Sequence, residues 1–345
     1  MSQTVEQGVE PEVPPSARLL SMLFGLMTSQ AISVAAKLGL ADLLTDGAKT
    51  AGELAAATGA HERSLYRLLR ALASVGIFAE TDGGRFQLTP LAGPLRRDAP
   101  DTMCAFAIYL GEDWHQRVWG GLSYSVSTGQ PAFENISGAE FFPWLAGNPG
   151  PAQVFNDAMT SLSQSTSREV AAAYDFSAIK KLVDGGGGHG LLLSAIMKKT
   201  PRLRGILYDA PSVIDGAQSV LAAHGVGERC SAVGGDFFES VPAGGDAYIM
   251  KHIIHDWDDE RALTILRHCH RAMTKDGKLL VIEMVLPEGN APSPGKFLDL
   301  EMLLFLHSFE RTEAEYRALY ERAGFKLTRI VPTQSPYSVI EGVRI

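Results

Sequence analysis

The feature that most constrains this chain is Leu182-Val183-Asp184 running into Gly185-Gly186-Gly187-Gly188-His189-Gly190, then Leu191-Leu192-Leu193-Ser194-Ala195-Ile196-Met197. A short apolar run, a glycine cluster and a helix-forming segment, in that order, describe a strand, a tight turn and a helix. Glycines at such a turn let backbone approach a ligand where a Cβ would collide. The arrangement predicts the first βα turn of a doubly wound sheet, where nucleotide-like ligands sit.

The glycines alone fit two ligands. Gly185, Gly187 and Gly190 satisfy G-x-G-x-x-G, the dinucleotide fingerprint. Asp184, Gly186, Gly188 and Gly190 satisfy D-x-G-x-G-x-G, the pattern of S-adenosylmethionine-dependent methyltransferases. Residues further along the chain must choose between them.

After residue 175 strand-like and helix-like segments alternate. Strands are expected at Lys181–Asp184, Gly205–Tyr208, Cys230–Gly234, Ala247–Lys251 and Lys278–Met284, with a last antiparallel edge pair at Phe325–Val331 and Tyr337–Arg344. Helices are expected at 191–199, 212–224, 258–273 and 312–323. Such alternation implies a largely parallel sheet covered on both faces.

The N-terminal half reads differently. Residues 16–44 form a helical stretch that is apolar on more than one face, including Leu19, Leu20, Leu23, Phe24, Leu26 and Met27. A helix apolar all round needs cover on all sides, and a second subunit supplies it. Residues 50–95 read as a winged helix. Thr50 and Glu53 form a capping box, Leu65, Leu68, Leu69 and Leu72 line one helix face, and Thr81-Asp82-Gly83-Gly84 turns a hairpin. Winged helices often bind DNA, but residues 41–98 carry seven basic and seven acidic side chains and no net charge. Phosphate neutralisation dominates DNA affinity, so this module reads as structural.

The chain is expected to comprise a disordered, acidic, proline-bearing leader over 1–15, a dimerisation domain over 16–100, a helical connector over 101–170 and a catalytic domain over 171–345. The connector is rich in large aromatic side chains. Most are core, while Trp114, Phe155 and Met159 are the candidates to wall a cleft toward the second domain. The net charge of −8 argues against nucleic-acid and anionic-membrane partners. Cys104, Cys230 and Cys269 are widely spaced and read as reduced thiols of a cytoplasmic protein. No apolar run is expected to approach the roughly 20 residues that span a bilayer.

Chemistry gathers at the expected strand ends. Asp209, 25 residues after Asp184, is placed to take ribose hydroxyls. Asp236 beside Phe237 offers a carboxylate and an aromatic face to an adenine. Lys251, His252, His255 and Asp256 follow the fourth strand, and His255 there is poised to accept a proton from an attacking hydroxyl. His268 and His270 read as structural. So does His252 on its position alone, although its side chain also falls among those expected to face the pocket, with Met302 and Phe305. No metal is expected, because no distant ligand completes a site. Glu283, in an otherwise apolar strand, is costly there unless paired or functional. Glu310 precedes a helix, and one carboxylate on the imidazole N–H fixes its tautomer.

Five motifs, Asp184–Gly190, Tyr208-Asp209-Ala210-Pro211, Gly235-Asp236-Phe237-Phe238, Lys251-x-x-x-His255-Asp256-Trp257 and Glu310-Arg311-Thr312, stand in one order. In that order, and with the aromatic connector Phe155-Asn156-Asp157-Ala158-Met159, the chain resembles the S-adenosylmethionine-dependent small-molecule O-methyltransferases of plant caffeate and flavonoid metabolism and of bacterial antibiotic tailoring. The resemblance implies a Rossmann-like class I α/β catalytic domain behind a winged-helix dimerisation domain, working as a homodimer. It implies that Asp184, Gly186, Gly188, Asp209, Asp236, Phe237 and Lys251 hold the cofactor. It implies His255 as general base flanked by Glu283 and Glu310, acting on a phenolic hydroxyl of an aromatic metabolite. Gly185 replaces the family's usual apolar residue and His189 a small one. A nicotinamide-dependent oxidoreductase, or a relative repurposed for hydroxylation or decarboxylation, is the alternative.

Overall fold

The computed structural model describes residues 13–345, so the expected leader lies outside the described residues as far as residue 12. Its last residue, Pro15, already opens a helix, as suits proline at a first helical position. The chain forms two compact units, one ending at Glu112 and one running Asp113–Ile345.

The first unit begins with α1 (Pro15–Leu23), α2 (Gly25–Lys37) and α3 (Leu40–Leu43). The single helix expected over 16–44 is thus three, broken at Phe24 and at Leu38-Gly39, where Gly39 takes a left-handed conformation. There follow β1 (Lys49–Thr50), α4 (Ala51–Thr58), α5 (Glu62–Ser74), β2 (Phe78–Thr81), β3 (Arg85–Leu88) and α6 (Cys104–Leu110). The Thr50–Glu53 capping box forms as expected. Strand β1, too short to leave a periodicity, adds a third strand in the order β1-β3-β2. Leu54, Leu65, Leu69, Leu72, Phe78 and Phe86 fill the core. Helix α6 packs on α2, which is why the unit extends to Glu112 and not only to residue 100.

Across α1 and α2 the apolar side chains Leu19, Leu20, Met22, Leu23, Phe24, Leu26 and Met27 are all exposed. One expectation is corrected here. Pro15–Lys37 is 23 residues long and apolar enough, by length and composition, to cross a bilayer. The sequence reading missed it because Ser21, Thr28, Ser29, Gln30 and Ser33 interrupt the run.

The second unit opens with α7 (Asp113–Gly120), α8 (Leu122–Thr128), α9 (Ala132–Ser137), α10 (Phe141–Gly147) and the long α11 (Pro149–Ala173). The expected connector therefore divides, its part beyond residue 112 belonging to this unit. Then come β4 (Lys181–Gly185), α12 (Leu191–Lys199), β5 (Arg204–Asp209), α13 (Pro211–Ala223), β6 (Cys230–Gly234), β7 (Ala247–Lys251), α14 (Asp259–Ala272), β8 (Lys278–Glu283) and β9 (Val285–Leu286). The unit ends with α15 (Gly295–Phe305), β10 (Arg311–Thr312), α16 (Glu313–Arg322), β11 (Phe325–Pro332) and β12 (Ser338–Arg344).

The main sheet has the order β11-β12-β8-β7-β4-β5-β6. Strands β4 to β8 are parallel, while β12 runs antiparallel between β8 and β11. Only β11 of the expected edge pair is an edge. Successive residues alternate between the two cores, as the two-residue strand period requires. Leu182 packs with Leu193 and Leu207, and its neighbour Val183 packs with Met250 and Leu266 on the other face. The chain leaves β4 for β5 on one side and later returns to β7 on the other. That reversal opens a crevice at the carboxyl ends of β4 and β7.

Candidate active site

The glycine turn sits at this crevice. Gly186 has a φ of +69°, and a Cβ on it would fall 2.3 Å from the Ile253 Cδ1 and 3.8 Å from the Phe237 ring. The turn therefore brings backbone, Ile253 and Phe237 to one place. The Gly188 N–H donates to Asp209 Oδ2 at 2.7 Å, which holds the β5 acid against the turn. Asp184 is buried, and the backbone N–H of Leu193 approaches its carboxylate without the geometry of an ordinary hydrogen bond. Burial, opposed by Lys251 and reinforced by Asp209, pushes the Asp184 carboxyl up to about 7. Burial brings Lys251 down to about 8, against the pull of Asp184 and Glu283, and its ammonium donates to Ser163 Oγ on α11 at 2.7 Å. Asp236 is exposed and caps its own turn by accepting the Phe238 N–H at 2.8 Å.

The loop after β7 carries His255 into the crevice. His255 Nδ1 lies 2.6 Å from Glu310 Oε1 and 3.2 Å from Glu283 Oε2, and all three residues are buried. Glu283 also builds the loop. Its Oε1 accepts the backbone N–H groups of Ile253, Ile254 and His255 at 3.2, 3.1 and 3.3 Å. Burial alone would lower the His255 pKa, but the carboxylates of Glu283, Glu310 and Asp256 outweigh it and raise it to about 10. Glu283 is itself shifted upward, mainly by burial. The other imidazole nitrogen, Nε2, stands 3.5 Å from Asp256 Oδ1.

Of the residues expected at the pocket, Trp114, Phe155 and Phe305 join one aromatic cluster. Trp114 and Phe305 meet edge to face at 6.2 Å, and Phe155 lies 5.3 Å from Phe141, which also touches Phe305. Met302 is buried on the same helix as Phe305. Met159 is half-buried one turn beyond Phe155 on α11, outside that cluster. Phe142 links the cluster to the loop that bears His255, its ring 6.1 Å from Trp257, which in turn meets Phe237 at 6.2 Å. His252 lies beside His255, with ring centroids 5.7 Å apart.

Several residues of this site have no role assigned from the sequence, Arg311 among them although it stands in the Glu310-Arg311-Thr312 motif. Arg311 is wholly buried and donates to the carbonyls of Ile254 and Trp257 at 3.2 and 3.0 Å and to Asp259 at 2.9 Å. Its adjacency to Glu310 was the available signal. Glu301 accepts from Trp119 Nε1 at 2.6 Å and lies 2.8 Å from His115 Nε2. Those partners are more than 180 residues apart in sequence and left no local signal.

Comparison with known proteins places this geometry in a family. Residues 119–326 match the O-methyltransferase domain, and residues 20–96 match the O-methyltransferase dimerisation domain. The chain belongs to the O-methyltransferase family. It is 48% identical to the phenazine O-methyltransferase PhzM of Lysobacter antibioticus, covering 95% of this chain and 96% of that one. It is 39% identical to the mitomycin biosynthesis 6-O-methyltransferase of Streptomyces lavendulae, covering 98% and 99%. The crystal structure of NcsB1, an O-methyltransferase from neocarzinostatin biosynthesis in complex with S-adenosylmethionine and 2-hydroxy-5-methyl naphthoic acid, is 33% identical, covers 97% of this chain and 100% of that one, and superposes with a TM-score of 0.79. The protein is thus an enzyme of the methyltransferase class, with the class I fold and an N-terminal dimerisation domain.

Proposed function

We propose that this enzyme transfers a methyl group from S-adenosylmethionine to a phenolic hydroxyl of a planar aromatic secondary metabolite, with His255 as general base. The observation that carries the reading is the 2.6 Å contact between His255 Nδ1 and Glu310 Oε1. It holds the N–H on Nδ1 and turns Nε2 to the acceptor. A hydroxyl must lose a proton as it attacks, whereas a ring nitrogen is already nucleophilic. A buried base therefore favours methylation of oxygen.

The residues at the glycine turn fit the cofactor. Its ribose hydroxyls and ammonium are donors, and the buried carboxylate of Asp184 together with Asp209 supplies acceptors. A dinucleotide pyrophosphate would instead meet two carboxylates. Gly186 and Gly188 give backbone access, Phe237 and Asp236 face an adenine, and Lys251 completes the cradle. When bound, the cofactor supplies a methyl group activated by a sulfonium. In its neutral form His255 accepts at Nε2 the proton of the attacking hydroxyl, and the paired carboxylates stabilise the imidazolium that results. Trp114, Phe155, Met159, His252, Met302 and Phe305 align the acceptor and exclude water. His255, Glu283 and Glu310 have ligand atoms within 4.8 Å of one another, a grouping that also suggests an ion. However, the 2.6 Å Nδ1–Oε1 separation is a hydrogen bond and leaves no room for a metal between those atoms.

The exposed apolar face of α1 and α2 is covered by the same face of a second subunit in a soluble, cytoplasmic homodimer. The test is calorimetry with S-adenosylhomocysteine alongside methyl transfer to phenolic acceptors. His255→Gln should bind the nucleoside normally and lose turnover. Normal turnover in that variant would refute the base, and absence of nucleoside binding by the native enzyme would refute the whole reading.

A further inference from the structure

His252 is the only non-glycine residue with positive φ, +56°, among the described residues. Outliers of this kind persist where surrounding structure holds them, and they cluster at functional sites. Here β7 ends, the His252 N–H still donates to the Ile282 carbonyl at 3.2 Å, and the side chain packs on Tyr337 with centroids 4.3 Å apart. Its Nδ1 faces the Lys251 ammonium at 3.5 Å. An ammonium only donates, so Nδ1 is the acceptor nitrogen and the ring proton sits on Nε2. Nε2 is shielded from solvent and has no hydrogen-bond partner. A buried N–H without a partner is costly, and a ligand group that accepts from it removes the cost. Burial, with Lys251 and His255 adding to it, lowers the His252 pKa well below the ordinary imidazole range and keeps the ring neutral.

We propose that His252 is a specificity determinant whose Nε2–H donates to a hydrogen-bond acceptor flanking the reactive hydroxyl, so that the enzyme selects aromatic hydroxyls with a neighbouring ring nitrogen or carbonyl oxygen. The inference rests on the methyltransferase reading above. In such acceptors the hydroxyl proton is held internally by its neighbour. Donation from His252 occupies that neighbour and releases the proton to His255, whose ring lies 5.7 Å away.

The probes are 1-hydroxyphenazine and 1-hydroxyanthracene, which share a shape and differ in that two ring nitrogens, one of them beside the hydroxyl, replace the two C–H groups of the central ring. The native enzyme should favour 1-hydroxyphenazine in kcat/KM by at least about tenfold, the scale of one hydrogen bond. His252→Phe should reduce that ratio to about one. His252→Asn, which keeps an N–H donor and tolerates positive φ, should retain a preference. Nitrogen NMR of the S-adenosylhomocysteine complex should show the His252 proton on Nε2. A native ratio near one, a preserved ratio in His252→Phe, a proton on Nδ1, or turnover of neither probe by an enzyme that binds S-adenosylhomocysteine would each overturn the proposal. Loss of S-adenosylhomocysteine binding in the native enzyme would instead overturn the methyltransferase reading beneath it.

Discussion

The guanidinium of Arg311 donates to the carbonyl of Ile254 at 3.2 Å, one residue before His255. The same group holds the Trp257 carbonyl and Asp259, so one buried cation clamps both ends of the segment that presents the imidazole. Arg311→Met takes the guanidinium from the Trp257 carbonyl and Asp259 and leaves the Ile254 carbonyl only the Trp257 N–H at 3.4 Å. It should cost about 3 kcal/mol of stability, read by denaturant unfolding. Displacement of the loop should lower kcat by roughly 100-fold while S-adenosylhomocysteine still binds. Unchanged kcat would show that the loop keeps its place without the clamp.

Glu310→Gln removes a carboxylate from His255, whose pKa of about 10 depends on it. Turnover should fall roughly 100-fold. In the native enzyme kcat/KM should climb with pH toward about 10 as the imidazolium loses its proton, and in the variant the inflection should move toward neutrality. Because the folded pKa is raised, the stability that His255 gains from its carboxylates is full below about 6.5, the unfolded value. It is lost as pH rises through about 10. A pH–rate profile and unfolding across that window check both signs, and identical inflections in the two enzymes would count against the pairing.

At Gly186 the backbone is left-handed, and an added methyl would lie 2.3 Å from Ile253 Cδ1. Gly186→Ala should lower S-adenosylhomocysteine affinity by at least tenfold, from about 1–2 kcal/mol of backbone strain plus the collision. Gly188, whose φ is +57° with nothing within 4 Å of its Cβ position, meets only the strain. Gly188→Ala should therefore be the milder change. Calorimetry on both variants ranks them, and the reverse order would contradict the close approach at Gly186.

Met22 and Met27 are 70% and 65% exposed, on helices where Leu19, Leu20, Leu23, Leu26 and Val34 are also uncovered. Burying such a surface drives association. Met22→Glu combined with Met27→Glu should convert the proposed homodimer to monomers in light scattering. A persistent dimer would move the interface elsewhere.

Much of this site is legible in the chain because four of the five motifs stand at the ends of parallel strands, and the carboxyl ends of such strands share one edge. Asp184, Asp209, Lys251 and Glu283 all fall there. What was not legible depends on groups that meet only after folding. Arg311 looks like any helix-start cation until the segment from β7 to α14 closes around it. Helix α15 carries apolar residues on several faces behind Pro292 and Pro294, so no clean period announced it. The left-handed backbone of His252 follows from the junction of β7 with the loop that Glu283 organises, not from any local preference of histidine.

One bond joins selectivity to reactivity. The Glu310 N–H donates to Asp299 Oδ1 at 2.9 Å, and Asp299 lies on α15, the helix that also carries Glu301, Met302 and Phe305. A substitution that tilts this helix to admit a differently shaped compound will also drag the acid that orients the imidazole. Variants broadened for new acceptors through α15 should therefore turn over slowly until a second change restores Glu310.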